Sequence, residues 1–82
     1  MTKDIMTQDE RTNLDKLDFF FSEKISVHVK LRRTDHNGRN IFLNGTIISK
    51  LTDTLFLLDE RLLGETRVSL FEIKQDGVEE LR

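Results

Sequence analysis

Apolar residues in the first quarter of the chain recur at helical spacing. Leu14, Leu17 and Phe21 fall at positions i, i+3 and i+7 of a segment whose other residues are mostly charged, which places them on one stripe of a helix. Thr7 and Glu10 precede this stripe with the S/T-x-x-E spacing, in which the hydroxyl and the carboxylate accept the first unpaired backbone amides of a helix. The pattern predicts one amphipathic helix over about residues 8 to 22.

The apolar period changes to two after the predicted helix. Within Ile25–Leu31 every second residue is apolar and the residues between are polar or charged, a pattern typical of a strand with one buried and one exposed face. Asn37 and Gly38 follow, and both tolerate the positive φ angles that tight hairpin turns require. The returning strand carries Gly45 on its apolar side. A glycine inside a strand usually marks a bend or a close approach of another backbone, so we expect this strand to bend there.

The second half of the chain predicts three more strands. Leu55–Leu58 is apolar at every position, which is typical of a central strand buried on both faces. Thr66–Phe71 predicts the fourth strand, Gln75–Gly77 a turn and Val78–Leu81 a short final strand. We therefore expect a mostly β fold in which an N-terminal helix is followed by a small, strongly bent, five-stranded antiparallel barrel over about residues 24 to 82, of the SH3-like or OB-like kind.

Length and composition allow one small domain with a thin core. The chain has 82 residues, of which 37% are hydrophobic, and it contains no cysteine. A domain of this size buries too little surface to be stable by a wide margin, and the residue types present offer neither a disulfide nor a structural zinc site. The edge strands of an open barrel can pair with strands of another copy. We therefore expect homo-oligomerisation, with residues 1–82 forming a single domain.

The sequence argues against several classes of function. Its longest apolar runs are far shorter than the roughly 20 residues of a membrane-spanning helix, so we expect a cytoplasmic protein that does not associate with membranes. All four glycines are isolated, which argues against a phosphate-cradling loop. His28 and His36 lack the neighbours that nucleophilic catalysis or zinc coordination requires. We expect no enzymatic activity, metal, cofactor or small-molecule substrate.

Charge is distributed unevenly, although the net charge is only -2. Residues 25 to 50 hold five basic residues and one acidic residue, while the segments on either side are acidic. A basic surface of this kind can contact phosphate groups, and a solvated basic face is the alternative. The candidate phosphate contacts are Lys30, Arg32, Arg33, Arg39 and Lys50.

Four segments together resemble the first Sm motif. They are Glu23–Leu31, Asn37–Arg39, Gly45–Ile47 and Leu55–Asp59. The Sm-like family, which includes the bacterial RNA chaperone Hfq, joins an N-terminal helix to a strongly bent five-stranded barrel. The resemblance covers about residues 8 to 73. It implies a hexameric or heptameric ring, in which the fourth strand pairs with a neighbour's fifth strand and single-stranded RNA binds around the pore or across a ring face.

The resemblance also implies an RNA site on the pore side of the ring. Asn13 takes the place of a polar helix residue, and Asp53 with Thr54 takes the place of a polar-aromatic pair before the third strand. Leu70 and Phe71 stand where bacterial members have a basic residue and an imidazole. Phe71 is thus the one residue of this set that can stack on a base, although core packing is the expected role for its ring.

Two departures from the family pattern leave alternatives open. The second Sm motif is absent, since Phe71–Lys74 occupies its place, and the segment from Gly38 to Gly45 is longer than the common spacing. A longer first hairpin with Gly-Arg is usual in the Sm-like C-terminal domain of the ribosome maturation factor RimP, which gives a second resemblance. The other alternative is a structural or protein-binding module that uses its edge strands or its helix stripe and binds no RNA.

Overall fold

The helix begins and ends close to the residues that the sequence predicts. In the computed structural model, which describes residues 6–82, α1 spans Gln8–Glu23. The Thr7 hydroxyl accepts a hydrogen bond from the Glu10 amide, and the Glu10 carboxylate accepts one from the Thr7 amide, so the predicted capping box is present. At the other end, Lys24 adopts a left-handed backbone (φ 58°) and its amide donates to carbonyl oxygens of the preceding turn, which stops the helix.

Replacing Lys24 by glycine is expected to stabilise the protein. A left-handed backbone costs a residue with a Cβ atom about 1–2 kcal/mol, and the greater freedom of glycine in the unfolded chain offsets part of that gain. We expect Lys24→Gly to raise the free energy of unfolding, measured by urea denaturation, by about 0.5–1 kcal/mol. Glu23→Gly is the matched control, because glycine within a right-handed helix lowers stability. A Lys24→Gly protein less stable than the wild type would contradict the left-handed assignment.

The rest of the described chain confirms the predicted series of antiparallel strands. β1 spans Val27–Thr34, β2 Asn40–Thr52, β3 Leu55–Glu60, β4 Gly64–Ser69 and β5 Ile73–Glu80, with a 3-10 turn at Leu70–Glu72. The five strands form one sheet in the order β4-β3-β2-β1-β5. Between residues 6 and 82 no ladder joins β4 to β5, so the sheet is open and each of these two strands has an unpaired edge.

Gly45 lies at the close backbone approach that its place in the sequence predicts. A Cβ atom there would lie 2.8 Å from the Asp59 carbonyl carbon and 2.9 Å from the Glu60 Cα atom of β3. Further along β2, the ladder to β3 skips Ile48 and then Leu51. Each skip is a β-bulge, and bulges bend a strand and increase its twist. The ladder to β3 is regular at Gly45, so the irregular positions of β2 lie after the glycine, at Ile48 and Leu51.

β5 differs from the predicted final strand because it begins before the predicted turn. Ile73 pairs with Leu31 of β1, and Val78 pairs with Val29. The intervening residues of β5 therefore face a single residue of β1. Gln75–Gly77, which the sequence predicts as a turn between strands, is instead part of a long bulge within one edge strand. The turn chemistry is present, since Asp76 has a positive φ of 53°, but it does not separate two elements.

The core lies between α1 and one face of the sheet. Leu14 and Leu17 of the predicted helix stripe are buried, and Phe21 packs against the same cluster. Together with residues from every strand they exclude water from the inner face of the sheet. α1 packs chiefly against β5. No helix within residues 6–82 combines the length and the apolar character needed to cross a membrane.

The prediction that β3 is buried on both faces was wrong. Phe56 and Leu58 are buried in the core, whereas Leu55 and Leu57 are only half-buried. The sheet has α1 on its inner side, and within the described residues no element covers the outer side of β3. A run of apolar residues therefore does not distinguish a strand between two layers from a strand that leaves apolar side chains on an uncovered face.

Candidate nucleic-acid interface

Two of the predicted phosphate contacts, Arg32 of β1 and Lys50 of β2, lie beside acidic side chains of α1. Arg32 donates from Nε to a β5 carbonyl oxygen at 3.1 Å, and its guanidinium lies 3.8 Å from the Glu10 carboxylate. Lys50 Nζ lies 2.9 Å from the Asp18 carboxylate and 5.5 Å from the centre of the Phe56 ring. Exposed ion pairs contribute little individually, but each of these basic groups already has an acidic partner on α1. Arg32 and Lys50 are thus less available for phosphate than their charge suggests.

Arg33 and Arg39 lie at the β1–β2 hairpin, and both are exposed. The loop between them is shaped by Asp35, whose carboxylate accepts hydrogen bonds from the amides of Asn37 and Arg39 at 2.8 and 3.0 Å. Gly38 supplies the positive φ that the sequence predicts for this turn, at 77°. Within residues 6–82 neither arginine forms an ion pair. The hairpin therefore presents two positive charges on a hydrogen-bonded loop.

Asn13 is enclosed between α1 and β5 rather than exposed. Its side chain is 1% exposed, and its Nδ2 donates to the Lys74 carbonyl oxygen at 3.0 Å. Its Oδ1 has no hydrogen-bond partner within residues 6–82. A buried amide bonded in this way fixes the helix against the sheet edge. A nucleotide could reach Asn13 only if the helix moved. In this structure the predicted site residue is therefore not accessible to RNA.

The other residues of the predicted pore-side site lie in one region of the molecule. Asp53 and Thr54 form the turn between β2 and β3, and the Thr54 carbonyl oxygen accepts a hydrogen bond from the Leu70 amide at 2.7 Å. That bond joins the turn to the 3-10 turn that contains Phe71. The ring of Phe71 is 50% exposed, so the expectation that it packs in the core was wrong. Leu70 is buried there instead, and Phe71 is available for stacking.

The exposed face of β1 and β2 carries an aromatic pair that sequence reasoning did not single out. The rings of His28 and Phe42 are stacked, with their centres 5.1 Å apart and their planes inclined by 18°. Phe42 is 41% exposed. Lys30 lies directly opposite Phe42 in the ladder, and His28 Nδ1 is hydrogen-bonded to Asn44 Oδ1. We call His28, Lys30, Phe42 and Asn44 the aromatic face.

The aromatic face has the chemistry of a base-stacking surface. Exposed rings on a sheet stack with unpaired nucleobases, and the Lys30 ammonium can approach a phosphate. The Asn44 Nδ2 group supplies donors for a base acceptor. Glu79 of β5 lies opposite His28, and its negative charge disfavours phosphate on that side. Alternation in the sequence indicates that His28 and Lys30 share a face, but the stack with Phe42 depends on ladder register, which the sequence alone does not define.

Comparison with known proteins does not assign a role to this surface. The chain matches no family model, no curated protein and no solved structure. Among residues 6–82, no three His, Asp or Glu side chains come together in an arrangement that could hold a metal ion. The function is therefore inferred from the fold and from the surfaces described above.

Proposed function

We propose that this protein is an Sm-like RNA-binding protein that assembles into a hexameric or heptameric ring. The observation that carries the proposal is the strand order β4-β3-β2-β1-β5 behind an N-terminal helix, because this order leaves the fourth and fifth strands as the two edges of the sheet. These are the strands that the Sm-like resemblance pairs between neighbouring subunits. The bulged β2 adds support, since a small bent barrel needs a strand that turns a corner.

The two open edges carry side chains that can form an opposite-charge pair. On β4, Arg67 is exposed while Val68 next to it is buried. The last residues of β5, Glu79 and Glu80, are exposed and acidic. Unpaired amides and carbonyls at a sheet edge can be satisfied by a neighbouring strand, and an opposite-charge pair across two strands contributes roughly 0.2–1 kcal/mol. Pairing of β4 with the β5 of another copy would bring Arg67 to an acidic strand end.

The aromatic face supports RNA binding more directly than the predicted pore-side residues do. His28 and Phe42 offer a ring surface to a base, and Arg33 and Arg39 lie at the far end of the same hairpin, where they can contact phosphates. A ring would repeat this surface once per subunit, so one strand of RNA could contact several copies and gain affinity through multivalency. The proposed ligand is single-stranded RNA held mainly by stacking, with modest sequence preference.

Native mass spectrometry tests the ring and the RNA separately. The purified protein is measured alone and with short oligo(U) or oligo(A) added. A hexameric or heptameric mass, or twice that mass, that increases on addition of an oligonucleotide supports the whole proposal. A ring that binds no oligonucleotide would support the assembly and contradict RNA binding, which favours a structural or protein-binding role. A monomer that gains none contradicts both parts.

Phe42→Ala is expected to weaken the binding of single-stranded RNA about fivefold or more, because a stack between a base and an aromatic ring contributes about 1–3 kcal/mol. Phe71→Ala is the matched control, since it removes another half-exposed phenylalanine, from the predicted pore-side region. Fluorescence anisotropy with labelled oligo(A) and oligo(U) at one salt concentration gives both dissociation constants. Weaker binding by Phe71→Ala together with unchanged binding by Phe42→Ala would contradict a site on the aromatic face and indicate one on the pore side.

A further inference from the structure

The two most exposed large apolar residues of the described chain lie together in the turn between β3 and β4. Leu62 is 91% exposed and Leu63 is 68% exposed. Tight turns are ordinarily built from Gly, Asn, Asp and Ser, and a leucine pair there leaves apolar surface in water, which is unfavourable. We call Arg61–Leu63 the leucine tip. Its composition suits contact with another molecule better than contact with water.

The backbone of the leucine tip is hydrogen-bonded to a buried carboxylate. Glu60 is 5% exposed, and its Oε1 accepts hydrogen bonds from the amides of Leu62 and Leu63 at 2.8 and 3.0 Å. Its Oε2 accepts one from the Asn44 amide at 2.9 Å. The Arg61 amide in turn donates to the Asn44 carbonyl oxygen at 2.8 Å. A tip that is already ordered loses little conformational freedom when it docks.

The charges around the leucine tip are of both signs. Asp59 of β3 and Glu65 of β4 face each other in the ladder, and both are exposed. Like charges directly opposite each other are unfavourable, so this pair favours the approach of a cation. Arg61 is exposed and forms no ion pair within residues 6–82. An apolar centre flanked by both signs of charge can be complementary to itself across a two-fold axis, whereas the acidic pair disfavours RNA or an anionic lipid surface.

We propose that the leucine tip docks on the leucine tip of a second copy of this chain. In a two-fold arrangement, Leu62 and Leu63 meet their counterparts, and Arg61 of each copy faces the acidic pair of the other. This contact does not use the backbone pairing of the β4 and β5 edges. It therefore doubles the assembly that edge pairing produces: a monomer becomes a dimer, and a ring becomes a double ring. Two leucines per copy cover much less than the roughly 800 Å² per partner of a standard interface. A single contact is therefore weak, and a ring that repeats it associates more tightly.

Sedimentation velocity over a concentration series tests the doubling. Leu62→Ser with Leu63→Ser is compared with the wild type, and Ile48→Ser with Leu51→Ser is the control, because it removes exposed apolar side chains from another part of the sheet. Circular dichroism checks that each variant is folded. We expect the wild type and the control to reach twice the mass of the tip variant. Equal masses for the wild type and the tip variant would overturn the proposal, while the mass of the tip variant itself reports whether a ring forms.

A charge swap tests the predicted partners of Arg61. Arg61→Glu places like charges across the two-fold axis, and so does Asp59→Lys with Glu65→Lys, so each variant alone should associate about tenfold more weakly or worse. An equimolar mixture of the two variants should regain the doubled mass, because each then offers the charge that the other needs. A mixture that stays at the single mass would overturn the two-fold arrangement.

Discussion

Gly45→Ala is expected to lower the free energy of unfolding by about 3 kcal/mol or more, which is a large part of the stability of a small domain. The added Cβ atom would overlap the backbone of β3, with 2.8 Å to the Asp59 carbonyl carbon and 2.9 Å to the Glu60 Cα atom. Backbone atoms cannot rotate away as a flexible side chain can, and β3 is fixed there by its pairing with Gly45 and Thr46. Urea denaturation followed by circular dichroism measures the loss.

Gly38→Ala separates this crowding from the general effect of losing a glycine. Gly38 has a φ of 77°, and an added Cβ atom would meet nothing within 4 Å. Its substitution therefore costs only the left-handed backbone, about 1–2 kcal/mol. We expect Gly45→Ala to be clearly the more destabilising of the two. Equal losses would show that β3 moves aside easily and that the close approach does not determine the path of β2.

The parts of the fold that the sequence predicts are those encoded locally. The helix start depends on two residues one turn apart, Thr7 and Glu10, and the period of two identifies the inner face of β1. The bulges at Ile48 and Leu51 are different, because a bulge exists only relative to the partner strand. The bulge at Gln75–Gly77 is likewise defined only by its partner strand. Its residues are typical of a turn, and only the pairing with β1 shows that the strand continues beyond them.

The candidate site is less predictable than the fold because it depends on which side chains meet across the sheet. Charge alone assigned Arg32 and Lys50 to phosphate binding, yet Glu10 and Asp18 of α1 lie beside them. These partners are distant in sequence, and so are His28 and Phe42 of the aromatic face. The sequence lists the groups that can bind a nucleic acid, and the tertiary contacts decide which of them are still available for it.

The second large effect is expected at the carboxylate that supports the leucine tip. Glu60→Gln should lower the free energy of unfolding by about 2–3 kcal/mol at neutral pH. The carboxylate accepts backbone hydrogen bonds from Asn44, Leu62 and Leu63. Glutamine has a single acceptor oxygen, and its NH2 group would face an amide that is also a donor. The matched control is Glu23→Gln, an exposed position at the end of α1 where we expect a change within about 0.5 kcal/mol.

The difference between the wild type and Glu60→Gln should also depend on pH. Hydrogen bonds from the backbone amides, that of Asn44 above all, hold the pKa of Glu60 below its ordinary value of 4.5. Because the folded pKa lies below the unfolded pKa, the carboxylate contributes its full stability above the unfolded pKa, and this contribution is lost as the pH falls through the folded pKa. Urea denaturation at a series of pH values should therefore show a constant difference near neutral pH and a smaller one below about pH 4.5. A difference that stays constant into acid would contradict the binding of an ionised Glu60 by these amides.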